Sequence, residues 1–313
     1  MLSIVLIILV AVGIVLWTEK TNAQSLTPIA LPAFPGIGKG LNVSAEHVYT
    51  PETLLPILKD LGVKIVRLPL PLDWATANDT IPPNFAPWTQ FVETLNAGGV
   101  EVLFITPFSL NGPGSEATVG RDQEKISQYC GQAAALWPTV LWEIGNEPNV
   151  QQGPNSPLSP QVYVGIANWT IDAIRAANPK ASIIAAGMSG NGFTYIQECL
   201  NAGLRGVNAY AIHPYEDVGS TIETSLRSGY ATLGTLLPIY VTEWGLSTAV
   251  VSEAYQASAL ATMRDAVARC GVPFFCWYDI QDGTNTSDSG DKFGLLRIDG
   301  TQKPSYAAFK GAS

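Results

Sequence analysis

Apolar and polar positions come in two kinds of block along this chain, and the blocks alternate. One kind is a short run of unbroken apolar character. The other is a longer stretch in which apolar residues recur every three or four positions. The first predicts a strand covered on both faces and the second an amphipathic helix. Strands are predicted over 37–43, 63–70 and 100–106, in the run that opens at Thr139–Trp142, and over 181–186, 206–212, 238–242 and 272–278. Helices are predicted to begin at Thr50-Pro51-Glu52, with Thr as N-cap and Pro in the first turn, over 86–97, and over 123–137, where Ile126, Tyr129, Cys130, Ala133 and Trp137 share a face. Others follow from Ser159-Pro160 to Ala177, over 193–202 and over 222–232. One more carries Leu260, Met263, Val267 and Cys270, and a short closing helix covers 306–310.

Eight strand-then-helix units without a break in composition imply a parallel sheet closed on itself, a single (β/α)8 TIM barrel over residues 24–313. The competing doubly wound sheet wants a phosphate-binding glycine loop. Gly36-Ile37-Gly38-Lys39-Gly40 has the wrong spacing for one and falls inside a strand.

Composition narrows the picture. With 47% hydrophobic and 14% charged residues, the chain can bury a large core. A net charge of -9 and the lack of any basic cluster argue against a nucleic-acid partner, since phosphate binding rests on Lys and Arg. Residues 2–17 are almost wholly apolar and end at Glu19-Lys20. This predicts a signal peptide cleaved near Thr21-Asn22-Ala23 or, as the alternative, an uncleaved membrane anchor, with the rest of the chain exported in both cases. Export would permit disulfides among Cys130, Cys199, Cys270 and Cys276, in any of three pairings, although Cys130 and Cys276 read as core residues. Asn42, Asn78, Asn168 and Asn285 stand in glycan-acceptor sequons.

In such a barrel the active residues come from the carboxyl ends of the strands. Those ends hold Arg67, then Asn146 and Glu147, then His213-Pro214-Tyr215, then Thr242-Glu243-Trp244, and Trp277-Tyr278-Asp279. Two carboxylates across one cleft suit glycoside hydrolysis: one donates a proton to the leaving oxygen, the other attacks the sugar or activates water. Trp244 and Trp277, if exposed, would stack on sugar C–H faces. Glu143 lies four residues before Glu147, and strand alternation points it into the barrel, where it needs a partner such as Lys39 or Arg67. A metal-dependent hydrolase is disfavoured because the chain has two histidines, His47 and His213. A serine hydrolase is disfavoured because Gly187-Met188-Ser189-Gly190-Asn191 misses the nucleophile-elbow pattern. A non-catalytic carbohydrate-binding barrel would lack one of the two carboxylates.

The pieces Trp142-Glu143-x-x-Asn146-Glu147-Pro148-Asn149, His213-Pro214-Tyr215, Val241-Thr242-Glu243-Trp244-Gly245, Phe293-Gly294-Leu295-Leu296 and Lys303-Pro304-Ser305-Tyr306 resemble, in order, glycoside hydrolase clan A. The resemblance implies a monomeric, retaining glycosidase with no cofactor or metal, acting on a polysaccharide or oligosaccharide. It implies Glu147 as general acid/base and Glu243 as nucleophile, with Arg67 and Tyr215 holding Glu243 ionised. Asn146 would bond the sugar 2-hydroxyl, His213 would orient the carboxylates, and Trp277 would floor the sugar site. The strand-four form and the Lys-Pro-x-Tyr tail are more similar to family 39, which suggests an endo-acting enzyme on a matrix polysaccharide; an exo-acting xylosidase-like enzyme or a transglycosylase would use the same residues. Strand three ends in Pro107-Phe108-Ser109, where family 5 usually has a His, and Gly145 stands where a larger residue is usual.

Overall fold

The computed structural model describes residues 38–44, 49–71, 85–108, 116–150, 157–215, 219, 221–234, 237–283 and 292–311. The apolar N-terminal run, His47, Ser109 and the sequons at Asn78 and Asn285 lie outside them.

Eight parallel strands close a barrel in sequence order. They are β1 (Gly38–Asn42), β2 (Val63–Pro69), β3 (Glu101–Ile105), β4 (Leu141–Asn146), β5 (Ser182–Ser189), β6 (Ala209–His213), β7 (Ile239–Trp244) and β8 (Phe274–Trp277). The helices between and after them are α1 (Pro51–Leu61), α2 (Ala86–Ala97), α3 (Glu116–Leu136), α4 (Pro160–Ala177), α5 (Phe193–Asn201), α6 (Thr221–Leu233), α7 (Glu253–Arg269) and α8 (Pro304–Lys310). Two of the starts are fixed by local chemistry. Thr53 Oγ1 accepts the Thr50 N–H at 3.1 Å, and Ser159 Oγ accepts the Val162 N–H at 3.4 Å, each supplying a partner that a helix N-terminus otherwise lacks. The single barrel agrees with the predicted one. α3 starts seven residues before its predicted start at Gln123, because the stretch opening at Glu116 has no apolar stripe to betray it. β5 runs on to Ser189, past the last apolar residue of the predicted strand.

The core has two parts. The larger lies between barrel and helices and includes Leu54, Phe104, Trp142, Ile183 and Met263. The smaller fills the inside of the barrel with Ile65, Leu103, Leu141, Ile184, Ala209, Ala211, Phe274 and Cys276. Strands covered on both faces explain the unbroken apolar runs.

All four cysteines are buried and free, so the disulfides that export would permit are not formed. The sequon at Asn42 is also overturned as a glycan site. Asn42 is 3% exposed, and its Nδ2 donates to the carbonyls of Thr242 at 2.9 Å and Trp277 at 3.2 Å. Among the described residues no helix is long and apolar enough to cross a membrane.

The tail motif is a fastening. Buried Lys303 donates to Asp282 Oδ1 at 2.7 Å, to Thr248 Oγ1 at 3.0 Å and to the Lys292 carbonyl at 3.2 Å. The Tyr306 hydroxyl donates to Asp60 Oδ2 at 2.9 Å, tying α8 to α1.

Candidate active site

Two positions further along the strands that supply the inner apolar layer, the barrel interior turns polar. Arg67 is two residues after Ile65, Glu143 two after Leu141, and His213 two after Ala211. All three are at most 1% exposed.

Arg67 organises this layer. Its five N–H donors each meet an acceptor. Nε donates to Glu143 Oε2 at 2.6 Å, and Nη2 to Glu143 Oε1 at 3.0 Å and Asn146 Oδ1 at 2.7 Å. Nη1 donates to Asn42 Oδ1 at 2.8 Å and to Glu243 Oε1. A guanidinium buried this deeply is opposed by desolvation, and the Glu143 and Glu243 charges outweigh that and raise its pKa. Lys39, the other cation considered for Glu143, instead bonds the carbonyls of Phe309 and Lys310.

Glu243 is held from both sides. Oε1 takes the Arg67 donor, and Oε2 accepts the Tyr215 hydroxyl at 2.9 Å. Burial favours its neutral form, but the charges of His213 and Arg67 and these two hydrogen bonds win and lower its pKa. The Tyr215 hydroxyl is pushed up by burial and by the Glu243 charge, so it stays a donor. Simple alternation would not bring both Thr242 and Glu243 to this layer. The β7–β8 ladder slips instead, pairing Val241 with Phe275 and Trp244 with Trp277, three residues against two, and this irregularity re-aims the strand end.

The end of β4 breaks alternation by another route. Gly145 has φ +87°, and a Cβ there would lie 2.0 Å from Phe108 Cε1. Only glycine combines that backbone with that neighbour. The turn brings Asn146 to Arg67 and sets Glu147 at φ 44°, a left-handed conformation unusual outside glycine. The Glu147 N–H is held by the Gly187 carbonyl at 2.8 Å, and Asn149 clamps Ser189 through its Oδ1 at 3.0 Å and Nδ2 at 2.9 Å. Gly145, read as a departure from the usual pattern, thus makes room for the strand-three aromatic.

Glu147 faces His213, with Oε1 2.8 Å from Nδ1. Its side chain is 20% exposed and that of Glu243 12%, whereas Glu143 is fully buried. One oxygen of Glu147, one of Glu243 and a ring nitrogen of His213 all lie within 4.8 Å of one another. Among the described residues this is the group close enough to hold a metal ion. Burial opposes the imidazolium of His213, but the carboxylates of Glu243, Glu143 and Glu147 outweigh it and raise the pKa to about 9, which favours the charged ring near neutral pH.

The aromatic expectation needs correcting. Trp244 and Trp277 are both 0% exposed, packed edge to face at 5.6 Å, and the Trp277 indole N–H donates to the Phe293 carbonyl at 3.0 Å. Neither presents a ring face to a sugar. The partly exposed rings are Tyr215, Phe293 and Tyr278, linked by centroid distances of 5.9 and 5.6 Å, with Phe108 on the β4 side. Tyr278 was legible as the residue after Trp277; Phe293 carried no strand-end signal.

Asn42, Thr242 and Glu143 complete the network. Asn42 sits at the end of β1, a strand end from which no functional residue was drawn. Glu143 accepts from Arg67, from the Gly187 N–H at 2.8 Å and from the Thr242 hydroxyl at 3.2 Å. Burial opposes its charge, yet Arg67 and His213 hold its pKa down at about 2.

A family model described as cellulase, glycosyl hydrolase family 5, matches residues 32–281. No curated protein matches the chain. Among solved structures it is similar to a family 39 glycoside hydrolase from Bacteroides cellulosilyticus WH2, at 21% identity and a TM-score of 0.69, over 89% of this chain and 64% of that one. It therefore spans under two thirds of that enzyme's length. It is also similar to a family 5, subfamily 18 enzyme from Streptomyces cattleya solved with GlcNAc, at 16% identity and a TM-score of 0.71, over 90% and 80% of the two chains. A monomeric β-xylosidase from Caulobacter crescentus CB15 follows at 18% identity and a TM-score of 0.68, over 89% and 69%. These likenesses show the barrel fold. The motif details leaned toward family 39, while the family match falls on family 5, with Phe108 in the region where that family usually has a His. By that match, which spans most of its length, the chain belongs to the cellulase family, glycosyl hydrolase family 5.

Proposed function

We propose that the protein cleaves O-glycosidic bonds by double displacement with retention, Glu243 acting as nucleophile and Glu147 as general acid/base. One observation carries this reading: two close carboxyl groups, each open to solvent, have unlike surroundings. Glu243 is held ionised by Arg67 and Tyr215, whereas Glu147 faces the His213 ring through Oε1 and is the more exposed of the two. A retaining enzyme wants its carboxyl groups ~5–5.5 Å apart, an inverting one ~6.5–9.5 Å. Closest atoms within 4.8 Å fit the former.

In the first step a Glu243 oxygen attacks the anomeric carbon while Glu147 gives its proton to the departing glycosidic oxygen. In the second, water attacks the glycosyl ester, Glu147 takes the water's proton, and Glu243 leaves as a carboxylate. Asn146 keeps Oδ1 on Arg67 and has Nδ2 without a partner among the described residues, placed to donate to the sugar 2-hydroxyl. Tyr215, Phe293 and Tyr278 offer the apolar surface for sugar C–H faces, the role assigned to the tryptophans from sequence.

The substrate we propose is a polysaccharide cut internally, by an exported monomer carrying its N-terminal run as signal or anchor. The motif resemblance supports internal cleavage, and the monomeric xylosidase neighbour supports the monomer and stands for the exo-acting alternative. Product sizes from a polysaccharide panel test it: early products of mixed length support internal cleavage, and release of single sugars from chain ends overturns it. Glu243→Ala in sodium azide tests the nucleophile. A glycosyl azide of inverted configuration is expected, and an active variant without azide removes Glu243 from that role.

A further inference from the structure

Glu143 is the third carboxylate of the site and touches neither the solvent nor the space between Glu147 and Glu243. On one side Arg67 links it to Glu243. On the other its Oε1 accepts the Thr242 hydroxyl, and Thr242 Oγ1 lies 3.0 Å from His213 Nε2. A hydroxyl has one proton to donate. Because that proton goes to Glu143, the Thr242 oxygen must accept from His213, so Nε2 carries hydrogen in every protonation state. The nitrogen that gains and loses a proton is then Nδ1, the one facing Glu147.

Resting on the reading of Glu147 as the acid, we infer that Glu143 is a positioning residue, acting through Thr242 and His213 to decide which oxygen of Glu147 carries the transferable proton. With His213 charged, Nδ1–H donates to Oε1 of Glu147, and the acid proton must sit on Oε2. When that proton leaves for the glycosidic oxygen, the new carboxylate already has an imidazolium donor. With His213 neutral, Nδ1 becomes an acceptor and draws the Glu147 proton onto Oε1, away from the leaving group. Glu143 keeps the ring in the charged form by its own charge, 3.8 Å from Nε2, and by fixing the Nε2 proton. Gly187 permits this closeness: a Cβ there would lie 2.0 Å from His213 Nε2 and 2.7 Å from Glu143 Oε1.

The groups facing this chain are Arg67 from β2, Glu147 after β4, Tyr163 from α4, Tyr215 after β6, Glu243 from β7 and Cys276 from β8. Tyr163, Tyr215 and Cys276 are all pushed up, foremost by burial, and stay neutral through the range of the test.

The chain has two histidines, so 15N-histidine labelling with a His47→Gln background isolates the His213 ring. In the wild type Nε2 should stay protonated at all pH values and Nδ1 should titrate. In Glu143→Gln the Nδ1 midpoint should fall by about one pH unit or more, as expected for loss of an opposite charge within a few ångströms. The basic limb of kcat/KM on an aryl glycoside with a poor leaving group should fall with it, and the limb on a dinitrophenyl glycoside should not move. Thr242→Val leaves the Arg67–Glu143 pair in place and should lower the same midpoint, and Thr242→Ser should restore it. An unmoved midpoint in both Glu143→Gln and Thr242→Val, or a titrating Nε2 in the wild type, overturns the inference. Glu243→Ala assayed alongside separates the two levels: if it is active the double-displacement reading falls, and if it is inactive with unmoved midpoints only the role of Glu143 falls.

Discussion

Two layers inside one barrel, built by the same strands, have opposite chemistry. The lower holds Ile65, Leu103, Leu141, Ile184, Ala211 and Phe274; the upper, one side-chain repeat further along, holds Asn42, Arg67, Glu143, His213, Thr242 and Glu243. The lower layer gains free energy simply by leaving water. The upper one gives up hydration for every charge, and a buried ion pair recovers that only when all its hydrogen bonds are made. Here Arg67 is fully paired, and the charges lie on the solvent side of a dry apolar floor that weakens screening. An arrangement this costly has no packing rationale, and a reaction needing fixed charges supplies one.

Substitutions in the two layers should therefore register in different measurements. Glu243→Ala should lower kcat by about 10^4- to 10^6-fold, as loss of a nucleophile does elsewhere. Glu147→Ala should lower turnover of glycosides with poor leaving groups by about 10^2- to 10^4-fold, the usual worth of a positioned acid, and spare activated aryl glycosides; equal losses on both would remove its acid role. Arg67→Met strands two carboxylates and should cost about 3–5 kcal/mol in urea denaturation. Adding Glu143→Gln to it should restore part of that stability and none of the activity. Leu103→Ala in the lower layer should cost about 2–5 kcal/mol with kcat/KM unchanged in the folded fraction; a kcat loss matching that of Arg67→Met would erase the distinction between the layers.

The smallest effect is on the pH dependence of stability. Glu143 is lowered from 4.5 to about 2 and Glu243 in the same direction, so what they contribute is present above 4.5 and is lost as pH falls toward 2. His213 is raised from 6.5 to about 9, so its contribution is complete below 6.5 and is lost as pH rises toward 9. Melting temperatures should form a plateau between pH 4.5 and 6.5, and Glu143→Gln should flatten the acid side.

The strands were readable from apolar runs because two-sided burial leaves no polar alternation to confuse the reading. The strand-end carboxylates, Arg67, His213 and Tyr215 were readable because a barrel gathers such ends on one rim. Trp277 and Tyr278 could not be told apart in exposure from sequence, since a change of direction at a strand end decides which ring faces the cleft. Asn42 read as a sequon because its pattern is local, and its burial is not.

The order of residues along the chain thus carried the barrel, the rim and the pair of glutamates, because each rests on periodicity or on position at a strand end. Folding in three dimensions settled the rest. The slip between β7 and β8, the left-handed turn at Gly145 and the five-way pairing of Arg67 each join residues from distant strands, and their energies depend on distances and burial that no local pattern encodes.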